Sequence, residues 1–460
     1  MSSPFLRLLG LGAVAASACG GDEGGSTASN ATGGTLGSGG AAGDASSAGG
    51  TGGSSAASGS GGLGGDASCS PGLAPQGSHQ VGSKDLLVTG ANSQRAIAIR
   101  HSPSAEAWAI ANVIAEAGAF PIELRRATLG SGKLGLSSAV RVLDTSVAAN
   151  TNAFDPSIAA ETKSSRVLVV WADDRLGNGN GLLEVFGQFF DLGGSAPVKL
   201  GNNFVVSQVP KSSEHTPHVV FDDAEQRFWV AWADDREMAT KPGGRHEYAR
   251  SVGKDGSLGT ELALGDETQW QDGVHAAVGS DGPLFVWSEY SDIDGFGRYR
   301  ARLAKGTTLL TLHQSNSLVP APPAIAWDRA RCRFLALWQE TASANAPDKQ
   351  IWGAVLAPDG SVVKPRFQIT SHAPGAGSPT LEYAAKTATF VATFGSWTDP
   401  DAFFVELDGD GVALGSPVSI HSTPPAKGTY YHALAPSDSG LLLISNEDYA
   451  RLEATVLLTP

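Results

Sequence analysis

Two stretches of this sequence, DPSIAAETKSSRVLVVWADDR at residues 155–175 and TPHVVFDDAEQRFWVAWADDR at residues 216–236, repeat one pattern. Each begins with a short apolar strand, continues through a polar turn, and ends in a continuous apolar strand that leads to a tryptophan. A continuous apolar run is expected of a strand that is covered on both faces. The pattern therefore predicts paired strands that are sandwiched between similar neighbours.

The same spacing recurs along the chain. Ile158 precedes Trp171 by thirteen residues, and Val219 precedes Trp232 by the same number. This offset identifies seven large apolar anchor residues: Ile110, Trp171, Trp232, Trp287, Trp338, Phe394 and Ile444. Successive anchors lie 50–61 residues apart, and periods near 40–50 residues indicate four-stranded propeller blades, with longer loops adding the excess. We therefore predict an all-β fold, a seven-bladed β-propeller at residues 83–460.

Further strands complete the repeats. Third strands are predicted at residues 184–190, 247–252, 298–303, 350–356 and 402–407, and a short fourth strand follows, as at 204–207. Asp-Gly turns join several of these strands, for example at residues 254–257 and 358–361, and Asp-Gly between apolar runs is a strong hairpin signal. We interpret them as hairpin turns because they lack the alternating acidic spacing of calcium loops.

The last repeat supplies only three strands, the third at residues 451–458. An additional strand at residues 85–89 precedes the first complete repeat. Pairing of this strand with the last one would complete the seventh blade and remove exposed sheet edges. We therefore expect the N-terminal strand to close the ring.

The first nineteen residues have the layout of a secretory signal peptide, in which Arg7 precedes an apolar stretch and small residues lead to Cys19. The segment Ala16-Ser17-Ala18-Cys19 resembles the bacterial lipobox, although Ala16 stands where leucine is usual. The resemblance implies a diacylglycerol group on the Cys19 sulfur and hence attachment to a membrane. The alternative is an ordinary signal peptide that is cleaved after Ala18 and leaves Cys19 unmodified.

A segment rich in Gly, Ser and Ala follows Cys19, over residues 20–82. It carries too few apolar side chains to offset the entropy of ordering, so we predict a disordered linker. Gly20, and no Asp, follows the cysteine directly. In lipoproteins this arrangement implies the outer membrane or the cell surface as the location.

Charge and cysteine content exclude several classes of protein. Lys and Arg total 32 against 46 Asp and Glu, for a net charge of -14, and no basic run is present to neutralise phosphates, which excludes nucleic acid as a partner. No apolar run reaches the length of a membrane-spanning helix. Once Cys19 is set aside, Cys69 and Cys332 either form a disulfide or remain two thiols, and they are too few for a multi-cysteine zinc site.

The blade core VVWADDR, at residues 169–175, resembles the V-V-W-x-D-x-R blades of bacterial β-propeller repeat lipoproteins. The resemblance extends over roughly residues 85–460 and is strongest in the second and third repeats. It implies the fold and no defined activity, because propellers carry many unrelated functions.

Charged side chains directly after the anchors are expected on one face of the propeller, where they form a candidate binding face: Asp173, Asp174, Arg175, Asp234, Asp235, Arg236, Glu289 and Glu340. One interpretation is a platform for a cation or polar ligand. The other is that each Asp caps a turn and pairs with the nearby Arg, which holds adjacent blades in register.

Side chains at the starts of the innermost strands should converge near the mouth of the central channel: His215, His218, Asp272, His275 and His432, with Trp270 and Tyr430 beside them. Histidines near a carboxylate can bind a metal or act as a general base, whereas histidines at strand starts usually hydrogen-bond the backbone. Metal content and cofactors are left unassigned by the sequence, as is any catalytic residue.

The sequence thus favours a lipid-anchored propeller that binds protein or glycan partners through its loop face. The alternative is a hydrolase of extracellular polysaccharide with its active site at the channel mouth, where paired carboxylates could cleave sugars. The sialidase Asp-box S-x-D-x-G-x-x-W does not occur in the sequence.

Overall fold

The computed structural model describes Cys69 and residues 74–89, 94–116, 119–144, 151–176, 182–207, 209, 212–238, 240, 244–266, 269–291, 296–315, 321–340, 349–371, 376–395, 401–420, 432–447 and 451–459. The predicted signal peptide, Cys19 and most of the predicted linker lie outside these residues. No helix in the described part of the chain is long and apolar enough to cross a membrane.

The described strands form seven antiparallel sheets, which confirms the predicted seven-bladed propeller. The first strand, β1 (Gln80–Thr89), belongs to the last sheet. Blade 1 consists of β2 (Gln94–Ser102), β3 (Ala107–Ile114), β4 (Ile122–Gly130), β5 (Lys133–Leu136) and β6 (Val140–Arg141), with a short 3-10 helix at Pro103–Ala105. Blade 2 consists of β7 (Ala153–Ala160), β8 (Arg166–Asp173), β9 (Glu184–Asp191) and β10 (Val198–Ser207).

Blades 3 to 5 follow the same order from the innermost to the outermost strand. Blade 3 consists of β11 (Glu214–Asp222), β12 (Arg227–Asp234), β13 (His246–Val252) and β14 (Leu262–Ala263). Blade 4 consists of β15 (Trp270–Gly279), β16 (Gly282–Ser291), β17 (Phe296–Leu303) and β18 (Leu310–Ser315). Blade 5 consists of β19 (Ala324–Asp328), β20 (Arg333–Glu340), β21 (Gln350–Leu356) and β22 (Val362–Gln368).

Blades 6 and 7 complete the ring. Blade 6 consists of β23 (Gly377–Ala384), β24 (Thr389–Gly395), β25 (Ala402–Leu407) and β26 (Val418–Ser419). Blade 7 consists of β27 (His432–Pro436), β28 (Gly440–Glu447) and β29 (Arg451–Leu458), to which β1 adds the outermost strand. Each innermost strand contacts the innermost strand of the next blade, and β27 contacts β2, so that the ring is closed.

Closure by the N-terminal strand is confirmed in register. β1 pairs antiparallel with β29, from Gln80 opposite Leu458 to Thr89 opposite Arg451. The strand begins five residues before the predicted start at residue 85. The folded part of the chain therefore begins before residue 83.

The second strand of each blade is sandwiched as the apolar runs predicted. In β8, Val167 and Val169 pack with Trp171 into a cluster that includes side chains of blade 1, while Leu168 and Val170 pack with side chains of blade 3. All five side chains are fully buried. Burial of a large apolar side chain contributes about 1.5–3 kcal/mol, so these strands form the core between blades.

The innermost strands of blades 2, 3, 4 and 6 carry a β-bulge near their first residues. At each bulge one residue has a left-handed backbone conformation, with φ of 48° at Asp155, 45° at Thr216, 72° at Gly273 and 51° at Ser378. Asp155, Thr216 and Ser378 each precede a proline, which has no N–H and so tolerates an unpaired position. Bulges redirect side chains at the rims of closed sheets, and here they shape the channel mouth.

Candidate functional site

The charged residues after the anchor of blade 2 form a closed cluster. The indole N–H of Trp171 donates to Asp173 at 2.6 Å, and the Arg175 guanidinium donates to the same carboxylate at 2.6–2.9 Å. Arg175 also lies over the ring of Phe186, 4.0 Å from its centroid. Asp173 is fully buried. We call this arrangement of tryptophan, acid and arginine the clamp.

Blade 3 repeats the arrangement with one change of donor. Asp234 is fully buried and accepts hydrogen bonds from the Arg236 guanidinium at 2.6 Å and from Ser212 Oγ at 2.6 Å. Arg236 lies over the ring of Tyr248, 3.9 Å from its centroid, and donates to Glu261 at 2.6 Å. Both members of the charged pair are therefore engaged inside the blade.

In blades 4 and 5 the arginine comes from another strand. Trp287 donates to Glu289 at 3.1 Å, and Arg298 on β17 donates to the same carboxylate. Trp338 donates to Glu340 at 2.6 Å. Arg366 on β22 donates to Glu340 at 2.6–3.1 Å and lies over the ring of Trp352.

The remaining blades lack both the tryptophan and the acid. Their anchors are Ile110, Phe394 and Ile444, which have no N–H to donate. Two residues after the isoleucines the chain carries Asn112 and Asn446, both buried, and Ser396 at the matching place of blade 6 lies outside the described residues. An acid thus appears at this position only where a tryptophan precedes it, although in blade 3 Ser212 rather than Trp232 donates to the acid.

Most charged side chains of the candidate binding face therefore pair with other residues of the propeller. Asp173, Asp234, Glu289 and Glu340 are buried, and burial raises the pKa of Asp173 even though Arg175 and Trp171 oppose the change. The half-buried Asp174 accepts hydrogen bonds from the backbone N–H and side-chain amide of Asn152, both at 2.8 Å. These contacts match the interpretation in which the charges hold strands in register.

Asp235 differs from its neighbours because it faces the channel mouth. It accepts a hydrogen bond from Arg245 Nε at 2.6 Å and lies 3.1 Å from His215 Nε2. Burial favours a higher pKa for Asp235, but the hydrogen bonds from His215 and Arg245 outweigh it and lower the pKa. Asp235 is therefore an ionised carboxylate at neutral pH.

Arg245 links blade 3 to blade 4. Its guanidinium lies 3.5 Å from Asp272 Oδ2 and 4.8 Å from the centroid of the Trp270 ring. The Asp272 side chain is 40% exposed and Trp270 is partly exposed, so this end of the network is in contact with solvent. We call His215, Asp235, Arg245, Trp270 and Asp272 the mouth network.

Two further carboxyl groups adjoin the mouth network. Burial raises the pKa of Asp155 at the bulge of β7; nearby His215 opposes the rise and Asp272 adds to it. Burial also raises the pKa of Glu247 well above its usual range, and Asp272 contributes. Both carboxyl groups are thus harder to ionise than a carboxyl group in water.

The histidines of the predicted cluster make different contacts. His218 stacks on His275 with ring centroids 4.6 Å apart, whereas His215 belongs to the mouth network. Burial lowers the pKa of His275 to about 4 and lowers the pKa of His218 well below its usual value, so both rings are neutral at physiological pH. His432 is buried on β27 of blade 7, and Tyr430 lies outside the described residues. Among the described residues, no three His, Cys, Asp or Glu side chains converge to hold a metal ion.

Comparison with known proteins shows similarity at the level of the fold. No protein-family model matches the chain, and no curated protein matches it. The Hadza microbial sialidase Hz136 is similar over 76% of this chain and 76% of its own, with a TM-score of 0.47 and 11% identity. The α-L-arabinanase of Penicillium chrysogenum complexed with arabinobiose is similar over 82% of this chain and 98% of its own, with a TM-score of 0.43 and 11% identity.

Peptidases are also among the similar structures. An acylaminoacyl peptidase in complex with a chloromethyl ketone matches 80% of this chain and 52% of its own, with a TM-score of 0.45 and 11% identity. The distant structural neighbours named here are thus glycoside hydrolases and a peptidase.

Sequence reasoning missed three residues of this region: Asp155, Arg245 and Glu247. For Asp155 a signal was present, because Asp-Pro at the start of an innermost strand recurs as Thr-Pro and Ser-Pro in other blades. Arg245 and Glu247 carried no such pattern, since they follow a loop of irregular length. Together these residues place a mostly buried group of acidic and cationic side chains beside a partly exposed tryptophan.

Proposed function

We propose that this protein is a lipid-anchored binding propeller of the outer membrane or cell surface, held through Cys19, which recognises a glycan with the mouth network. The observation that supports a binding role is the partly exposed Trp270 beside Arg245 and Asp272. Tryptophan and arginine are the side chains that most often dominate binding energy at interfaces. No nucleic acid partner is expected of a chain with a net charge of -14.

A glycan suits the chemistry of this surface. Sugar hydroxyls both donate and accept hydrogen bonds, and the network offers carboxylate acceptors at Asp235 and Asp272 together with the Arg245 donor. The flat apolar face of Trp270 provides the contact surface for a sugar ring. A few polar groups that converge beside an aromatic ring are typical of small-ligand sites.

The test is glycan-array binding by the purified protein, followed by titration of the Trp270→Ala variant with the best glycan. We expect a loss of affinity of about 30-fold, equivalent to about 2 kcal/mol. Trp327→Ala is the matched control, because Trp327 is also partly buried but lies near the end of β19, away from the mouth. Retained affinity in Trp270→Ala, or an equal loss in Trp327→Ala, would exclude the site.

A protein partner is the other outcome of the same experiment. If no glycan binds, cross-linking on intact cells with wild type and Trp270→Ala distinguishes a protein partner at the mouth from an unrelated surface. The lipid anchor is tested separately by the mass of the N-terminal peptide, which gains a diacylglycerol on Cys19. Unmodified Cys19 would overturn the anchor and leave the binding site untouched.

A hydrolase is the second candidate, and one observation favours it. Asp155 has a raised pKa and lies within electrostatic reach of Asp272 and His215. Carboxyl groups in contrasting environments can divide the roles of acid and base in glycoside cleavage. Cleavage of the bound glycan that is lost in Asp155→Asn, while affinity is retained, would establish this activity; binding without cleavage would exclude it.

A further inference from the structure

The chain enters the propeller along the face opposite the channel mouth. Cys69 forms a disulfide with Cys332, in the turn between β19 and β20 of blade 5, with Cα atoms 5.4 Å apart. The backbone N–H of Gln76 donates to the carbonyl of Thr387, in the turn between β23 and β24, at 2.7 Å. These turns lie where the innermost strands end, whereas the mouth lies where they begin. We call Cys69 and residues 74–79 the strap.

The strap reaches blade 7 through a buried contact on blade 6. The backbone N–H of His79 lies 3.1 and 3.2 Å from the two carboxylate oxygens of Glu406, and the His79 ring bonds to the same carboxylate. The His79 and Glu406 side chains are only 2% and 8% exposed. The next residue, Gln80, begins β1. The strap therefore crosses from blade 5 over blade 6 to the strand that closes the ring.

The order of these contacts along the chain determines which strands bear a force applied to the N terminus. Without the disulfide, tension on the segment before Cys69 would pass along the strap into β1, whose pairing with β29 closes the ring. With the disulfide, the same tension passes from Cys69 to Cys332 and into blade 5 before it reaches β1. In blade 5, β20 lies between two paired strands and is buried over almost its whole length.

We infer that the Cys69–Cys332 disulfide is a mechanical bypass that transfers tension from the N-terminal segment to blade 5 and shields the closing strand. The biological source of that tension rests on the proposed lipid anchor, since a protein held at its N terminus is pulled whenever its partner is pulled. The disulfide also fits an exported protein, because such bonds persist in oxidising compartments. Its effect on the propeller does not depend on the lipid.

Single-molecule pulling tests the bypass on the chain from residue 19 onward with Cys19→Ser, held by handles at its N terminus and after Pro460. In the oxidised protein the disulfide locks a loop of 263 residues. The fully unfolded oxidised chain should therefore be shorter than the reduced chain by about 87–95 nm, at roughly 3.3–3.6 Å per residue. The reduced state is prepared from folded protein, so that no variant has to refold without the bond.

The order in which parts of the protein unfold under force decides whether the bypass exists. Gln80 pairs with Leu458, so in the reduced protein both handles act on the same end of the β1–β29 ladder and should open it first at low force. In the oxidised protein this early event should be absent. His79→Ala should lower the force of the first event in the reduced protein and leave the oxidised protein unchanged.

An early low-force event that persists in the oxidised protein, or an equal effect of His79→Ala in both redox states, would overturn the bypass. Because no lipid is present in this measurement, its failure is independent of the proposed anchor. Failure of the anchor would in turn appear only in the mass of Cys19.

Discussion

The clamps and the mouth network contain the same residue types, but they differ in how far their carboxylates are buried. In the clamp of blade 2, Asp173 is fully buried and its partners Trp171 and Arg175 leave it no further capacity. In the mouth network Asp272 is 40% exposed and pairs, among the described residues, with Arg245 at 3.5 Å. An Asp–Arg pair in sequence therefore indicates structure or binding only once burial and the number of partners are known.

The comparison also extends from blade to blade. Blades 2 to 5 place an acid two residues after a tryptophan, and blades 1 and 7 place a buried asparagine two residues after an isoleucine. A buried carboxylate without donors is costly, whereas an amide can be satisfied by neutral groups. In blades 2, 4 and 5 the clamp is therefore a unit of tryptophan, acid and arginine, whereas in blade 3 Ser212 donates to the acid in place of the tryptophan.

The largest effect is expected from Asp173→Ala, which leaves the Arg175 cation without its carboxylate. Removal of one partner of a buried ion pair costs about 3–5 kcal/mol, and we expect a loss of that size in the free energy of unfolding measured by urea denaturation. The control is Asn112→Ala in blade 1, where a neutral group is lost and about 1–3 kcal/mol is expected. Equal losses of stability in the two variants would show that the buried ion pair of the clamp contributes no more than a buried neutral side chain.

A smaller effect concerns the dependence of stability on pH. Burial raises the pKa of Glu214 on β11 to about 8, so folding favours its protonated form. The stability that this group contributes is present below its unfolded pKa and is lost as pH rises toward 8, with a slope approaching about 1.4 kcal/mol per pH unit. Relative to Glu214→Gln, wild type should therefore lose stability between pH 5 and pH 8. Parallel curves for the two proteins in urea titrations at each pH would contradict this assignment.

The smallest effect is expected at an exposed pair. Lys163 and Asp223 lie 3.9 Å apart with side chains 74% and 46% exposed. Surface pairs of this kind contribute about 0–1 kcal/mol, so Lys163→Ala should change the free energy of unfolding by less than about 0.5 kcal/mol. A loss comparable with that of Asp173→Ala would break the link between burial and the energy of these pairs.

The sequence predicted the blades well because their signal is local and repeated. The thirteen-residue offset before Trp171 and Trp232 reports two strands and one turn, and it recurs often enough to count seven blades. Ring closure by β1 was predictable because the last repeat is one strand short. The Cys69–Cys332 bond was left open, since it joins residues 263 positions apart and no local pattern encodes their distance.

The candidate site was predicted less completely because it depends on contacts between side chains of different strands. Arg298 and Arg366 complete the clamps of blades 4 and 5 from later strands, and spacing along the chain does not reveal such partners. The bulge at Thr216 lies between His215, which contacts Asp235, and His218, which stacks on His275. The sequence pattern does not show either of these partners.

The most direct test of this division of roles compares two carboxylate-to-amide substitutions on one face, Asp174→Asn and Asp272→Asn. For each variant, the affinity for the best array glycan and the free energy of unfolding are measured together. We expect Asp174→Asn to lose about 1.5–3 kcal/mol of stability with unchanged affinity, and Asp272→Asn to lose about tenfold or more in affinity with a stability change below about 1 kcal/mol. The reverse result, with binding lost in Asp174→Asn and retained in Asp272→Asn, would contradict the assignment of the mouth network as the binding site.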